Sequence, residues 1–436
     1  MSPAENAGGA PARKRVLSGM RPTGKLHIGH YFGALQNWVR LQNDPQYECF
    51  YFIADWHALT SDYADRTPIA QNSIEIATDY LAAGLDPAKS TIFLQSLVPE
   101  HAELFLLLSM VTPLRWLQHM ATYKEALENI KTKDLSTYGF LGYPVLQSAD
   151  IVMYSEPDRD LLVPVGEDQE SHVEFSRKIV RRFYTLYCLK IDERLFIKPR
   201  KNLKVLLDHF GHEIEQDILD EWSTTAIEKL IEKIAEEVGI ENFREHLRRL
   251  RLDEYFQFTD VLREPKVILT ATPRIPGLDG RKMSKSYGNA IMLSESDADI
   301  RAKTKVMVTD PARKRRTDPG NPDICPVYDW HKLFSPPETQ EWSANGCRTA
   351  GIGCIECKAA MADNLIKWIA PVRARREEYA AHPEKVLRVV DEGSTKALEV
   401  AKKTMARVRK AVLRWPHKRD EITGASRTSH NAKAGD

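Results

Sequence analysis

The chain has 436 residues and a formal net charge of +1, a length that predicts two or three domains at about 150 residues each. A charge so near zero argues against a globally basic nucleic-acid binder and leaves room only for a local basic face. No apolar run approaches the ~18 residues of a membrane span.

Residues 1–14, rich in Ala, Gly and Pro, are expected to form a disordered lead-in. They lack the apolar stretch of a secretory signal. Together with six cysteines this predicts a cytoplasmic protein whose thiols are free or ligate metal. The run "RVLSGMRPTGKLHIGHYFGALQNWVRLQ" reads as strand, Gly-rich turn and helix: Gly19, Pro22 and Gly24 punctuate, then Leu35, Trp38, Val39 and Leu41 recur near helical spacing. "YECFYFIADWHALT" reads throughout as a buried strand of the parallel type. "SIEIATDYLAAGLDP" is an amphipathic helix stopped at Gly84 and Pro87, and "STIFLQS" is the next strand.

This alternation predicts an α/β catalytic domain with a Rossmann-type doubly wound parallel sheet, over residues 15–190 plus 265–290. Residues 191–264 are charged, helix-periodic and poor in strand formers, as in a helical insertion. Residues 291–415 form a helical C-terminal domain, and 416–436 a flexible tail.

Two motifs carry chemistry. In "RPTGKLHIGHYFG" (Arg21 to Gly33), a Gly-rich turn opens a helix, so free N–H groups and the positive dipole end face an anion. His27 and His30, one turn apart, are placed to donate to a phosphate whose charge grows in a transition state. In "GRKMSKSYGN" (Gly280 to Asn289), Arg281, Lys282 and Lys285 alternate with serines in a loop suited to clamping a polyphosphate. Alone, each motif is an ordinary helix start or basic loop; together, in this order, they are specific.

"HIGH" after the first strand and "KMSKS" after the last resemble the two signatures of class I aminoacyl-tRNA synthetases. "GYPVLQSADIVMY", with "ADI" at Ala149–Ile151, and "GEDQ" at Gly166–Gln169 are similar to the tryptophanyl and tyrosyl subgroup, and within it to bacterial tryptophanyl-tRNA synthetases. The resemblance covers nearly all of 15–190 and 265–415. It departs at Gln147 and Leu17, where many such enzymes carry Met and Phe, and Gln147 is reminiscent of the tyrosyl branch; many also have "TIGN" in place of "HIGH".

The resemblance implies ATP-dependent activation of L-tryptophan with Mg²⁺, transfer to tRNA(Trp), and a homodimer. The alternatives are a tyrosine ligase and a synthetase-like RNA-binding paralogue that no longer charges tRNA. The implied catalytic groups are His27, His30, Lys282 and Lys285. ATP would meet Arg21, Thr23, Gly29, His30, Gly166, Asp168 and Ile275, and the loop residues Lys282, Met283, Ser284, Lys285 and Ser286. Tryptophan would meet Leu17, Val163 and Val165 around its ring, and Tyr143 and Gln169 at its ammonium. Asp150 would accept the indole N–H, a group that only donates; the bland reading of Asp150 is a helix-surface carboxylate.

The cysteines form a second pattern, Cys325-x21-Cys347-x6-Cys354-x2-Cys357. Four thiolates with a C-x2-C pair suit zinc or an iron–sulfur cluster, while Cys49 and Cys188 fit buried thiols. Some bacterial tryptophanyl enzymes carry a 4Fe–4S site of similar spacing, so the resemblance favours the cluster over Zn²⁺. The neighbouring "RKRR" (Arg313–Arg316), Arg348 and Lys358 are either RNA-phosphate contacts or a solvated charge run.

Overall fold

The computed structural model describes residues 12–64, 68–120, 123–125, 135–166, 169–269 and 275–423. Short apolar runs make the strands: β1 (Lys14–Met20), β2 (Tyr47–Ile53), β3 (Ser90–Leu94), β4 (Leu161–Val165), and, after β5 (Leu189–Ile191) and β6 (Phe256–Phe258), β7 (Lys266–Leu269). A parallel sheet has the order β3-β2-β1-β4-β7. Strand order reverses between β1 and β4, so the crevice outside their carboxyl ends is where a doubly wound sheet binds ligand. The helix before β3, Ile69–Ala83, ends as expected with Gly84 at φ +110.

β2 ends earlier than its apolar run. Helix Asp55–Asp62 begins two residues after Ile53. Asp55 sits in its first turn, where the helix dipole favours an acid, and accepts the Ser96 N–H at 3.0 Å. The strand expected through Thr60 is therefore half strand, half helix.

The insertion is helical, with helices Lys201–His209, Gln216–Glu221, Thr224–Val238 and Ile240–Leu250. Two short strands that its composition hid, β5 and β6, pair antiparallel at its base and clasp it shut. Its apolar face, including Leu206, Ile231, Phe243 and Leu247, is continuous with the core that holds Leu17, Val163 and Phe183.

The C-terminal region is also less separate than its composition suggests. Helix Pro383–Val412 returns to cover the edge strand β3: the Leu94 N–H donates to Ser394 Oγ at 3.2 Å. At Gly393 a Cβ would lie 1.8 Å from the Ile92 carbonyl oxygen. Edge strands left bare invite aggregation, and this helix removes the hazard. Helix Trp415–Thr423 continues into the stretch expected to be a flexible tail. No helix among the described residues is long and apolar enough to cross a membrane.

Candidate functional site

After β1 the chain turns through Gly24 (φ +91) and enters a helical run, α over Ile28–His30, π over Tyr31–Leu35 and α over Gln36–Gln42. The two histidines cap it reciprocally: the His30 N–H donates to His27 Nδ1 at 3.3 Å and the His27 N–H to His30 Nδ1 at 3.2 Å, with ring centroids 3.6 Å apart. Because each Nδ1 accepts, each ring carries its proton on Nε2, leaving two neutral N–H donors. Burial, reinforced by Lys285, lowers His27 to about 4. Burial, then His27 and Lys285, lowers His30 to about 3. At Gly29 a Cβ would lie 2.9 Å from His27 Nδ1, so only glycine leaves the capping intact.

The second motif docks on the first. The Ile28 N–H donates to Ile291 O at 3.0 Å and the Leu293 N–H to Leu26 O at 2.9 Å, so the segment after the basic loop runs beside the first signature. Lys285 Nζ donates to the carbonyls of Thr23, Gly24 and Lys25 at 2.8, 3.1 and 2.9 Å.

Asn289, which the sequence does not single out, is the loop's internal brace. Its amide donates to Asp279 at 2.7 Å and to Lys282 O at 3.1 Å, and its oxygen accepts the Ser284 N–H at 2.7 Å. Met283 and Ile275 are buried in one cluster, Lys282 is exposed, and Ser284 Oγ meets Ser286 Oγ at 2.8 Å. Arg281 pairs with Asp279 and lies over the Tyr287 ring. Across the crevice Arg21 donates to Ser61 at 2.6 Å and Asp62 at 3.0 Å, beside exposed Thr23.

Asp150 lies on helix Tyr138–Met153 and is fully buried, which rules out a helix-surface carboxylate. One oxygen accepts from Gln95 Nε2 at 2.8 Å and His101 Nδ1 at 2.6 Å; the other from Gln95 Nε2 at 2.8 Å and His57 Nε2 at 2.8 Å. Burial raises its pKa, but His101 and His57 outweigh burial and hold it below the ordinary carboxylate value. With His101 donating through Nδ1, its Nε2 accepts from Tyr154 Oη at 2.9 Å, a phenol that burial keeps protonated.

Gln95, His57, His101 and Tyr154 are the polar residues that sequence reading missed. Their one signal was polarity inside apolar runs. Leu17 and Val163 are buried in the same core as Tyr154, Val165 is half-buried, Tyr143 packs 5.8 Å from the His172 ring, and Gln169 is exposed with its N–H on Gly166 O at 3.0 Å. Asp168 lies outside the described residues.

A cavity of about 1050 Å³ opens elsewhere, between the insertion and the β7 edge. Its arginines are already paired: Arg159 with Glu48, Arg177 and Arg181 with Glu264, Arg263 with Glu241. Neither of the two motifs lines it, so the crevice is the better candidate.

In the C-terminal helical region, Cys325 precedes helix Pro326–Phe334, Cys347 lies in helix Pro337–Arg348, and Cys354 and Cys357 open helix Cys354–Ala381. All four are free thiols, as are buried Cys49 and Cys188. Burial raises Cys357 to about 11, and the thiols of Cys325, Cys347 and Cys354 add to the rise. The four therefore share one neighbourhood, although among the described residues no three His, Cys, Asp or Glu side chains converge as ready-made ligands. Cys357 Sγ also meets Ser343 Oγ at 3.1 Å and His331 Nε2 at 3.4 Å.

The "RKRR" run is split. Arg313 is buried and donates to Ile352 O and Arg316 O, while Lys314, Arg315 and Arg316 are exposed. Arg313 is thus neither an RNA contact nor a solvated charge; it braces the loop beside Cys347, whose thiol feels it. Arg348 faces Asp323 at 3.5 Å, and Lys358 donates to Lys305 O at 3.1 Å.

The family model for class I tRNA synthetases (W and Y) matches residues 11–208 and 237–370, passing over the middle of the insertion. The tryptophan–tRNA ligase of Ralstonia nicotianae is 46% identical over 408 residues, covering 92% of this chain and 98% of that one. The Thermotoga maritima tryptophan–tRNA ligase is 42% identical over 399 residues, covering 91% and 98%. Among solved structures, Campylobacter jejuni tryptophanyl-tRNA synthetase complexed with ADP and tryptophan is similar at a TM-score of 0.66 and 27% identity, covering 91% of this chain and 98% of that one.

Proposed function

Because this chain belongs to the class I tRNA synthetases of the tryptophan and tyrosine type, we propose that the crevice joins L-tryptophan to ATP and passes it to tRNA(Trp). The chain is an ATP-dependent tryptophan–tRNA ligase. The observation that carries the site assignment is Lys285 bridging the two signatures, which gathers both histidines and the basic loop around one volume.

The tryptophan carboxylate attacks the α-phosphorus, the bond to the β-phosphate oxygen breaks, and pyrophosphate leaves. His27 and His30 donate through Nε2, and Lys282 and Lys285 neutralise charge that grows on the phosphates. Being neutral donors, the histidines supply hydrogen bonds with no proton to lose. When bound, Mg²⁺ adds charge neutralisation on the leaving pyrophosphate. Arg21 and Thr23 meet phosphate, with Arg21 exchanging Asp62 for it. Gly29 admits the nucleotide closely, Met283 and Ile275 flank adenine, Ser284 and Ser286 hydrogen-bond the phosphates, and Gly166 and Asp168 take the ribose.

Leu17, Val163 and Val165 form the indole slot, and Tyr143 and Gln169 hold the ammonium. Asp150 accepts the indole N–H in place of His57, the partner nearest solvent. A buried acceptor of this kind rejects rings that lack the donor.

Four thiols in one neighbourhood suit a soft metal centre. We assign Cys325, Cys347, Cys354 and Cys357 to a 4Fe–4S cluster, ahead of Zn²⁺, which would hold the C-terminal helices together. The exposed Lys314, Arg315 and Arg316 lie on that side for tRNA phosphate. A cytoplasmic homodimer fits the rest: Leu106 (52% exposed), Met110 (71%) and Leu114 (56%) form an uncovered apolar face on helices Glu100–Val111 and Leu114–Gln118. Met110→Lys should shift the protein toward monomer in light scattering; an unchanged mass would remove that face as the interface.

Amino-acid-dependent ATP–pyrophosphate exchange tests the whole reading. Exchange should require tryptophan, and Lys282→Ala should lower its turnover far more than it weakens tryptophan binding. Exchange driven by tyrosine, or none at all, would overturn the assignment.

A further inference from the structure

Helix Cys354–Ala381 opens with two of the four cysteines. Two of its side chains reach toward the first signature. Trp368 packs edge-on to Tyr31 at 4.9 Å and stacked on Phe32 at 5.2 Å between centroids. About two turns later, Arg376 sets its guanidinium between two acids of helix Ile69–Ala83: Nε lies 2.6 Å from Asp79 Oδ1, and a second nitrogen pairs with Glu75. The other Asp79 oxygen accepts the Leu26 N–H at 2.6 Å.

Asp79 is 0% and Arg376 7% exposed. A carboxylate at that depth persists only with a partner, since its desolvation is otherwise uncompensated. The Leu26 amide immediately precedes His27, and the Leu26 carbonyl is already fixed by the Leu293 N–H. Both backbone groups of Leu26 are therefore set: its carbonyl by the segment after the basic loop, its N–H by a carboxylate that Arg376 neutralises. Lysine would supply the charge but not the fork that spans Asp79 and Glu75.

We infer that Arg376 is a positioning residue for adenylate formation. Through Asp79 it fixes the Leu26 amide and hence the entry of the helix that aims His27 and His30. The C-terminal helical region thereby shapes the nucleotide site without touching substrate. The inference rests on the reading of the first signature as the phosphate site.

Tryptophan-dependent pyrophosphate exchange with the full chain tests it. Arg376→Met should lower kcat about tenfold or more, as a small misplacement of catalytic groups does, with KM for tryptophan within about twofold; Arg376→Lys should recover part of the loss. Arg376→Met leaves the buried Asp79 and the half-buried Glu75 without their ion pair and is open to misfolding. The double variant Asp79→Leu/Arg376→Met replaces the pair by apolar side chains, a change buried pairs often tolerate, yet leaves the Leu26 amide unheld. It should melt near the parent, run slowly, and exchange its 26–31 amides with deuterium faster. A folded double variant at parental kcat and KM overturns the inference. His30→Ala is the control: if it too runs at the parental rate, the phosphate-site reading falls and the inference with it.

Discussion

His27 and His30 are held neutral by burial, and the sign of the resulting pH dependence follows. In the unfolded chain both protonate near 6.5; in the folded chain His27 waits until about 4 and His30 until about 3. The unfolded state therefore binds more protons below 6.5, and stability falls as pH falls from there toward 4 and 3. Urea denaturation across that window should show the slope, and His30→Asn should flatten it. Above pH 6.5 neither ring titrates, so the rate of pyrophosphate exchange should show no limb that His30→Asn removes.

The Asp150 network makes a second prediction at this scale. Tyr154→Phe deletes the donor to His101 Nε2, which frees that ring to turn and loosens Asp150. KM for tryptophan should rise about tenfold, near the 1.4 kcal/mol worth of one hydrogen bond, while KM for ATP holds. Equal changes in both would point to general loosening. The signature residues were legible because they stand in fixed short runs. Gln95, His57 and His101 were not, because each comes from a different element and only folding brings them to one carboxylate.

Among the elements, helix Pro383–Val412 depends on a single small residue. At Gly393 a Cβ would meet the Ile92 carbonyl oxygen at 1.8 Å, and backbone cannot yield as a flexible side chain does. Gly393→Ala should push the helix off β3 and cost about 1–3 kcal/mol, read as a lower urea midpoint with the slope unchanged. Periodicity identified the strand–helix alternation at the start of the chain, and it failed where one apolar run served two elements. "YECFYFIADWHALT" is apolar enough for a strand throughout, but Asp55 finds the Ser96 amide and starts a helix. β5 and β6 escaped notice because three-residue strands carry too little pattern, and their pairing across the insertion is visible only in space.

On the scale of the whole molecule, which regions share one core was not legible in the sequence. Residues 291–415 look like a separate helical body, yet Ala397, Ala401 and Met405 lie in the same core as Leu17 and Val163. Apolar helix faces do not record in sequence which partner they cover. The same limit holds at the four cysteines, where spacing suggests a four-thiolate set and the metal must be measured. Protein purified without oxygen should be brown and carry about four irons, as a single 4Fe–4S cluster requires. Cys354→Ser should lose that colour and iron while keeping tryptophan-dependent exchange above that of Lys282→Ala. One zinc with no iron would replace the cluster by zinc.

Lys285 holds Thr23, Gly24 and Lys25 by their main-chain oxygens alone. Such a latch is blind to spelling. As far as this contact goes, positions 23 and 25 can drift to other residues and the lysine still finds its three acceptors. Position 24 cannot drift, since its φ of +91 suits glycine. Related chains can therefore keep the junction between their two signatures while the letters around it change, and comparison by residue identity will understate how widely it is shared.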